Sequence, residues 1–219
     1  MTVVEPRLTL ERRLLRERTL LIACDEVGRG ALAGPVAVGA VAIDARAARC
    51  RIPAGLRDSK LVPEKRRADV AQRAIDWVGA HAIGYASAAE IDEVGIIRAL
   101  GTAALRAIDQ LRSFGVVPED ASILLDGNHD YISPAGGAGL SIRVQIKADR
   151  DCASAAAASV IAKVARDALM VTLHDEHPAY EWAHNKGYAS IAHRTAIREY
   201  GLSPYHRSSW AIADAPTLF

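Results

Sequence analysis

The chain has 219 residues, 50% of them hydrophobic and 24% charged, with a formal net charge of +1. That length suits one well-buried core, and no stretch approaches the roughly 20 uninterrupted apolar residues of a membrane span, so a single soluble domain over residues 1–219 is expected. The start, with Glu5, Arg7, Glu11, Arg12 and Arg13, lacks the apolar core of a secretory signal, which points to the cytoplasm.

Cys24, Cys50 and Cys152 are odd in number and have no CxxC spacing. They argue against a disulfide framework or a zinc site and are read as reduced small hydrophobes. A near-neutral total does not exclude nucleic acid, which needs only a local basic face. Residues 7–18 hold five arginines against two glutamates, and residues 184–207 gather Lys186, Arg194, Arg198 and Arg207 against Glu199 alone.

In chain order, residues 8–18 read as a short charged helix or arm. Leu20 to Cys24 form an apolar run that stops at Asp25 and Glu26, passes through Gly28, Arg29 and Gly30, and resumes from Val36 to Ile43 beyond the breaker Gly34-Pro35. These are two buried strands joined by a polar loop. Pro63 opens a helix from Glu64 to about Val78, with Val70, Ala74 and Trp77 as its buried stripe. Asp58, Ser59 and Lys60 lie in the loop before it, where the simplest local reading is a turn with a solvated lysine.

His81 to Ser87 reads as a strand and Ala88 to Val94 as a helical turn. Gly95 to Phe114 reads as a helix carrying Ile97, Leu100, Ala104, Ile108 and Leu111 on one face. Ser122 to Leu125 is a short strand ending in Asp126-Gly127, and Leu140 to Ile146 a strand followed by Lys147, Ala148 and Asp149. An alanine-rich helix from Ser154 to about His174 suits close contact with a sheet. Its predicted core face is Ile161, Val164, Ala168 and Val171, with Lys163 and Arg166 on the flanks. An irregular stretch with Pro178, Trp182 and NKGYAS follows, then a helix over Ile191 to Tyr200 and SPYHRSSW.

Strands alternating with helices predict an α/β fold whose functional edge lies where strands terminate. Asp25 with Glu26, then Asp126, then Asp149 would bring four carboxylates together. Such a cluster is tolerable only with cations or raised pKa values. Mg²⁺ or Mn²⁺ suits a set of carboxylate oxygens, and two such ions about 4 Å apart hydrolyse a phosphodiester without a covalent enzyme intermediate. A calcium site is disfavoured by the absence of a DxDxDG loop, and a glycosidase by an aromatic content of 5%.

The motifs CDEVGRGALAGPV, DSK, LLDG, KAD, SAAAASVIAKVARD, NKGYAS and SPYHRSSW occur in one order over about residues 20–210, and together they resemble the ribonuclease HII family. The resemblance implies a ribonuclease H-like mixed sheet flanked by helices. It also implies a helical C-terminal extension over about 175–219 that completes a substrate groove. The activity implied is metal-dependent endonucleolytic cutting of the RNA strand of RNA–DNA hybrids, and of duplex DNA on the 5′ side of an embedded ribonucleotide, leaving 3′-hydroxyl and 5′-phosphate ends. The tasks implied are ribonucleotide excision and primer removal.

By position, Asp25, Glu26, Asp126 and Asp149 match the metal-binding carboxylates. Gly28, Arg29 and Gly30 match a loop whose backbone reads the ribose 2′-hydroxyl, the group that separates RNA from DNA. Tyr188 matches a tyrosine that packs on the following deoxyribose. Ser59 and Lys60 match a phosphate-contacting pair, which replaces the solvated reading, and Arg207 and Lys186 are expected at backbone phosphate.

Val27 stands where alanine is usual and is reminiscent of ribonuclease HIII, but Arg29 decides against that relative. Ala148 stands where glycine is frequent, and Arg150 and Asp151 crowd Asp149. No sliding-clamp motif is read in the terminal APTLF, and a monomer is expected. A recombinase or Holliday-junction nuclease of the same fold would have no use for a 2′-hydroxyl reader, and a non-catalytic hybrid binder no use for four carboxylates.

Overall fold

The computed structural model describes residues 5–210. The terminal APTLF, and with it the expectation about a clamp motif, lies outside the described residues. Five strands, β1 (Leu20–Val27), β2 (Val36–Asp44), β3 (Ala80–Ala86), β4 (Ala121–Asp126) and β5 (Ser141–Gln145), form one sheet in the order β3-β2-β1-β4-β5. β2 is antiparallel to both β1 and β3, whereas β4 runs parallel to β1 and β5 parallel to β4.

The helices are α1 (Thr9–Glu17), α2 (Glu64–Trp77), α3 (Ala88–Val94), α4 (Ile96–Gln110), α5 (Ala148–Asp151), α6 (Ala153–Glu176), α7 (Trp182–Asn185) and α8 (Ile191–Tyr200). Alternation along the strands sends Leu21, Ala23 and Leu124 to one face, where α6, α2 and α1 cover them. Ile22, Cys24, Ile123 and Leu125 go to the other, under α4. The run Ala155–Ala158 has no exposed surface, so small side chains bring α6 close to the sheet as expected from its composition.

Glu11 of α1 is buried among this packing. One of its carboxylate oxygens accepts hydrogen bonds from the Ser154 amide and hydroxyl, both at 3.0 Å. The first turn of α6, which has no side-chain cap of its own, is thereby capped from a distant helix.

The structure differs from expectation in four places. β1 runs through to Val27, a little beyond the expected strand end, so both Asp25 and Glu26 are strand residues, opposite Gly39 and Val38. Asp149 lies in the short helix α5 rather than at the end of a strand. The last turns of α6 bury Arg166, Met170 and Leu173, while Val171 is 42% exposed, because the C-terminal loops and not the sheet cover that end of the helix. Ile97 is likewise 42% exposed at the start of α4. Cys24 and Cys152 are buried hydrophobes, and Cys50 is exposed.

Candidate active site

The parallel pairing of β1 with β4 ends at Cys24 opposite Leu125, so the next residues, Asp25 and Asp126, follow on adjacent strands just past the last pair, Asp25 still opposite Gly39 of β2 and Asp126 opposite Gln145 of β5. Both follow residues whose neighbours at alternate positions point toward α6. Lys147 adopts a left-handed backbone, φ 59°, that turns the chain from β5 into α5. This turn brings the Asp149 amide to Asp126, donating to Oδ1 at 3.3 Å. Arg150 and Asp151 pair with each other through two hydrogen bonds of 2.7 Å.

The charges are mutually costly. Burial, then Glu26 and Asp126, raises the pKa of Asp25 well above the usual carboxylate range. Burial and then Asp126 push Asp149 up to about 6, and burial raises both Glu26 and Asp126. Cations compensate in part: Lys60 Nζ lies 4.0 Å from Asp149, and an Arg29 nitrogen 3.7 Å from Glu26. Burial pushes the Lys60 ammonium down, but Asp58, Asp25 and Asp149 outweigh it and the net shift is upward.

Among the described residues no three carboxylates close into a ready-made chelate. The donor set nevertheless suits a hard divalent ion, because its oxygens are clustered, desolvated and short of positive charge. Such an ion would keep water or substrate oxygens in its remaining positions.

Beside the carboxylates, residues 28–34 form a loop held from beneath by two arginines. Arg207 donates to the carbonyls of Arg29 at 2.7 Å, Gly28 at 2.6 Å and Gly34 at 3.2 Å. Arg166 donates to those of Pro35 at 2.8 Å, Ala33 at 3.1 Å and Lys186 at 3.0 Å. Both guanidinium groups are wholly buried and meet carbonyl oxygens rather than carboxylates, with the Arg207 Nε left without a partner. With the carbonyls turned inward, the amides of Arg29 and Gly30 have no acceptor among the described residues and are free to donate to a ligand. Gly28 has φ +82°, and a Cβ there would come within 2.0 Å of Arg166 Nε. Gly30 faces open space instead, so its backbone is open to close approach from outside and internal packing does not require the glycine.

Tyr188 is half-buried with Lys163 Nζ 5.6 Å and the Arg166 guanidinium 5.5 Å from its ring centre. Its segment is stitched to the loop, since the amides of Leu32 and Ala33 both donate to the Gly187 carbonyl.

Three expectations are corrected. Arg207 does not face phosphate, because its whole guanidinium lies under the loop. Ser59 is only 5% exposed, with its hydroxyl 3.0 Å from that of Ser159 on α6, so of the Ser59 and Lys60 pair only Lys60 presents its head group to solvent. The Lys186 ammonium is folded back onto the Ala183 carbonyl and lies 3.7 Å from Glu64, so its side chain is engaged within the fold and not extended toward solvent. Arg166 was placed on a helix flank by sequence, and its charge gave no sign of burial. Tyr131, whose hydroxyl is buried with no partner, adds its ring near Glu26 and was not signalled by any motif.

The ribonuclease HII family model matches residues 22–213. The ribonuclease HII of Streptomyces avermitilis is 45% identical over 214 residues, 96% of this chain and 86% of that one. The chain belongs to the ribonuclease HII family. The crystal structure of ribonuclease H2 from Pyrococcus horikoshii superposes with a TM-score of 0.68 at 25% identity, covering 89% of this chain and 95% of that one. A crystal structure of Bst-RNase HIII in complex with Mn²⁺ superposes with a TM-score of 0.70 at 20% identity, covering 89% and 68%. The match to the ribonuclease HII model sets aside the likeness to ribonuclease HIII that Val27 suggested.

Proposed function

We propose that the chain is a metal-dependent endoribonuclease that hydrolyses the RNA strand of RNA–DNA hybrids and cuts duplex DNA on the 5′ side of an embedded ribonucleotide, leaving 3′-hydroxyl and 5′-phosphate ends. The observation that carries this reading is the placement of Asp25 and Asp126 one residue beyond the last β1–β4 pair, with the Asp149 amide donating to Asp126, beside a loop whose Arg29 and Gly30 amides have no acceptor among the described residues.

Asp25, Glu26, Asp126 and Asp149 would hold Mg²⁺ or Mn²⁺, two ions with substrate present, and the bound metal would supply an activated water and charge stabilisation at the leaving oxygen. The residues of the chain do the rest. The Arg29 and Gly30 amides donate to the ribose 2′-hydroxyl, Tyr188 packs on the next sugar and excludes a second hydroxyl there, and Lys60 contacts phosphate. The segment from about residue 175 onward closes the groove by carrying Tyr188. Ribonucleotide excision from DNA and RNA primer removal are the tasks this specificity fits.

The test is cleavage of a labelled DNA duplex with one ribonucleotide, in Mg²⁺ or Mn²⁺, beside an all-DNA duplex and a long hybrid. A metal-dependent cut immediately 5′ of the lone ribonucleotide is expected. Cutting of the long hybrid alone would overturn the junction reading, and cutting of the all-DNA duplex would overturn the reading of the 2′-hydroxyl.

A further inference from the structure

Behind Tyr188, remote from the carboxylates, lies a buried polar network that the proposed chemistry does not use. His193, on α8, has no exposed surface, and His206 is 3% exposed. His193 Nδ1 lies 2.9 Å from the Tyr188 carbonyl oxygen. That oxygen can only accept, so Nδ1 carries the proton and Nε2 bears the lone pair. Two donors converge on that lone pair. One is the indole Nε1 of Trp182 at 3.0 Å, and the other is His206 Nε2, also at 3.0 Å. His206 can donate there because its Nδ1 already accepts from the Ser203 amide at 2.9 Å, which fixes its tautomer.

Every proton in the chain from Ser203 through His206 and His193 to Tyr188 is thus assigned by its partners. The ring of Tyr180 stacks on Trp182 at 5.2 Å and closes the network off. Burial holds both imidazoles neutral, with His206 drawn down to about 4 by burial and then by His193.

We propose that His193 is a positioning residue for substrate discrimination, holding the Tyr188 backbone at a fixed height beside the Arg29 and Gly30 amides while His206 and Trp182 lock its orientation. This rests on the reading of Tyr188 as the sugar-packing residue. Next to His206, Arg207 braces the other half of the reader, so one short C-terminal segment sets the spacing between the two.

Two variants separate the two nitrogens of His193. His193→Asn keeps an N–H at the Nδ1 position facing Tyr188, whereas His193→Gln reaches the Nε2 position and leaves the Tyr188 carbonyl without its donor. Each is compared in the full chain with wild type, with Tyr188→Ala and with His193→Gln/Tyr188→Ala. The readouts are the ratio of kcat/KM on the single-ribonucleotide duplex to that on a long hybrid, and amide hydrogen exchange of residues 187–191.

His193→Gln is expected to lower the ratio about five- to tenfold, the worth of roughly one buried hydrogen bond, and to speed exchange in 187–191. His193→Asn is expected to retain both, and the double variant to be no worse than Tyr188→Ala. Unchanged exchange and ratio in His193→Gln, equal loss in both single histidine variants, or additive losses in the double variant would overturn the proposal. An unchanged ratio in Tyr188→Ala with exchange still faster in His193→Gln would instead overturn the sugar-packing reading and leave the positioning role standing.

Discussion

At the scale of single residues the site is governed by how costly its charges are. Four carboxylates gather where, among the described residues, Lys60 and Arg29 form the ion pairs that offset them in part, and all four have raised pKa values. Asp126 is central, since it stands beside Asp25 and accepts from the Asp149 amide. Asp126→Asn keeps the shape and that hydrogen bond but removes one negative charge from the proposed cation site. Turnover should fall by at least about 10²-fold, the usual cost of losing one electrostatic stabiliser, while hybrid affinity is largely kept. Steady-state cleavage paired with a hybrid-binding isotherm checks this, and turnover near wild type would remove Asp126 from the metal site.

At the scale of elements, close approach of helix to sheet is what lets so small a core carry a site at its edge. On one face Ala155–Ala158 bring α6 down onto β1 and β2. On the other, α4 crosses β3 at Gly84, where a Cβ would lie 1.9 Å from the Ala103 carbonyl oxygen and 2.7 Å from the Ala107 amide nitrogen. Backbone atoms within a helix cannot step aside individually, so Gly84→Ala must move α4 bodily. A loss of about 2 kcal/mol is expected from overpacking of this kind, read as a lower urea midpoint at unchanged m-value. Cleavage per folded molecule should be unaffected, because the carboxylates lie on β1, β4 and α5.

At the scale of the whole molecule, the clustered carboxylates couple stability to pH and to cations. The native chain keeps protons on Asp149, pushed up to about 6, and on Asp25, in a range where an unfolded chain with carboxylates near about 4 has released them. Stability without a cation therefore falls as pH rises from about 4 through about 6. A divalent ion replaces those protons, so the rise in Tm on adding Mg²⁺ or Mn²⁺ should be larger at about pH 7.5 than at about pH 5. Thermal melts with and without the ion at both pH values check it, and equal gains would mean that the ion does not bind these carboxylates.

Much of this was legible in the sequence. Asp25, Glu26 and Asp126 each close an apolar run before a glycine, and that local pattern is enough to predict carboxylates at strand ends. The elements were recoverable for the same reason, since strand and helix periodicities are properties of neighbouring residues. The order of the sheet and the turning of Asp149 over Asp126 were not written in any one segment. Nor was the inward fate of Arg166, Arg207, Ser59 and Lys186. A charged side chain is read as solvated by default, because burying a guanidinium costs too much unless several carbonyl oxygens meet it. Those carbonyls come from residues 28–35 and from Lys186, and only the folded chain brings them to Arg166 and Arg207. The sequence alone thus determined which groups are candidates for the chemistry, and the tertiary structure decided which of the remaining cations, like Lys60, stay exposed beside the carboxylates and which, like Arg166 and Arg207, lie buried under the loop of residues 28–34.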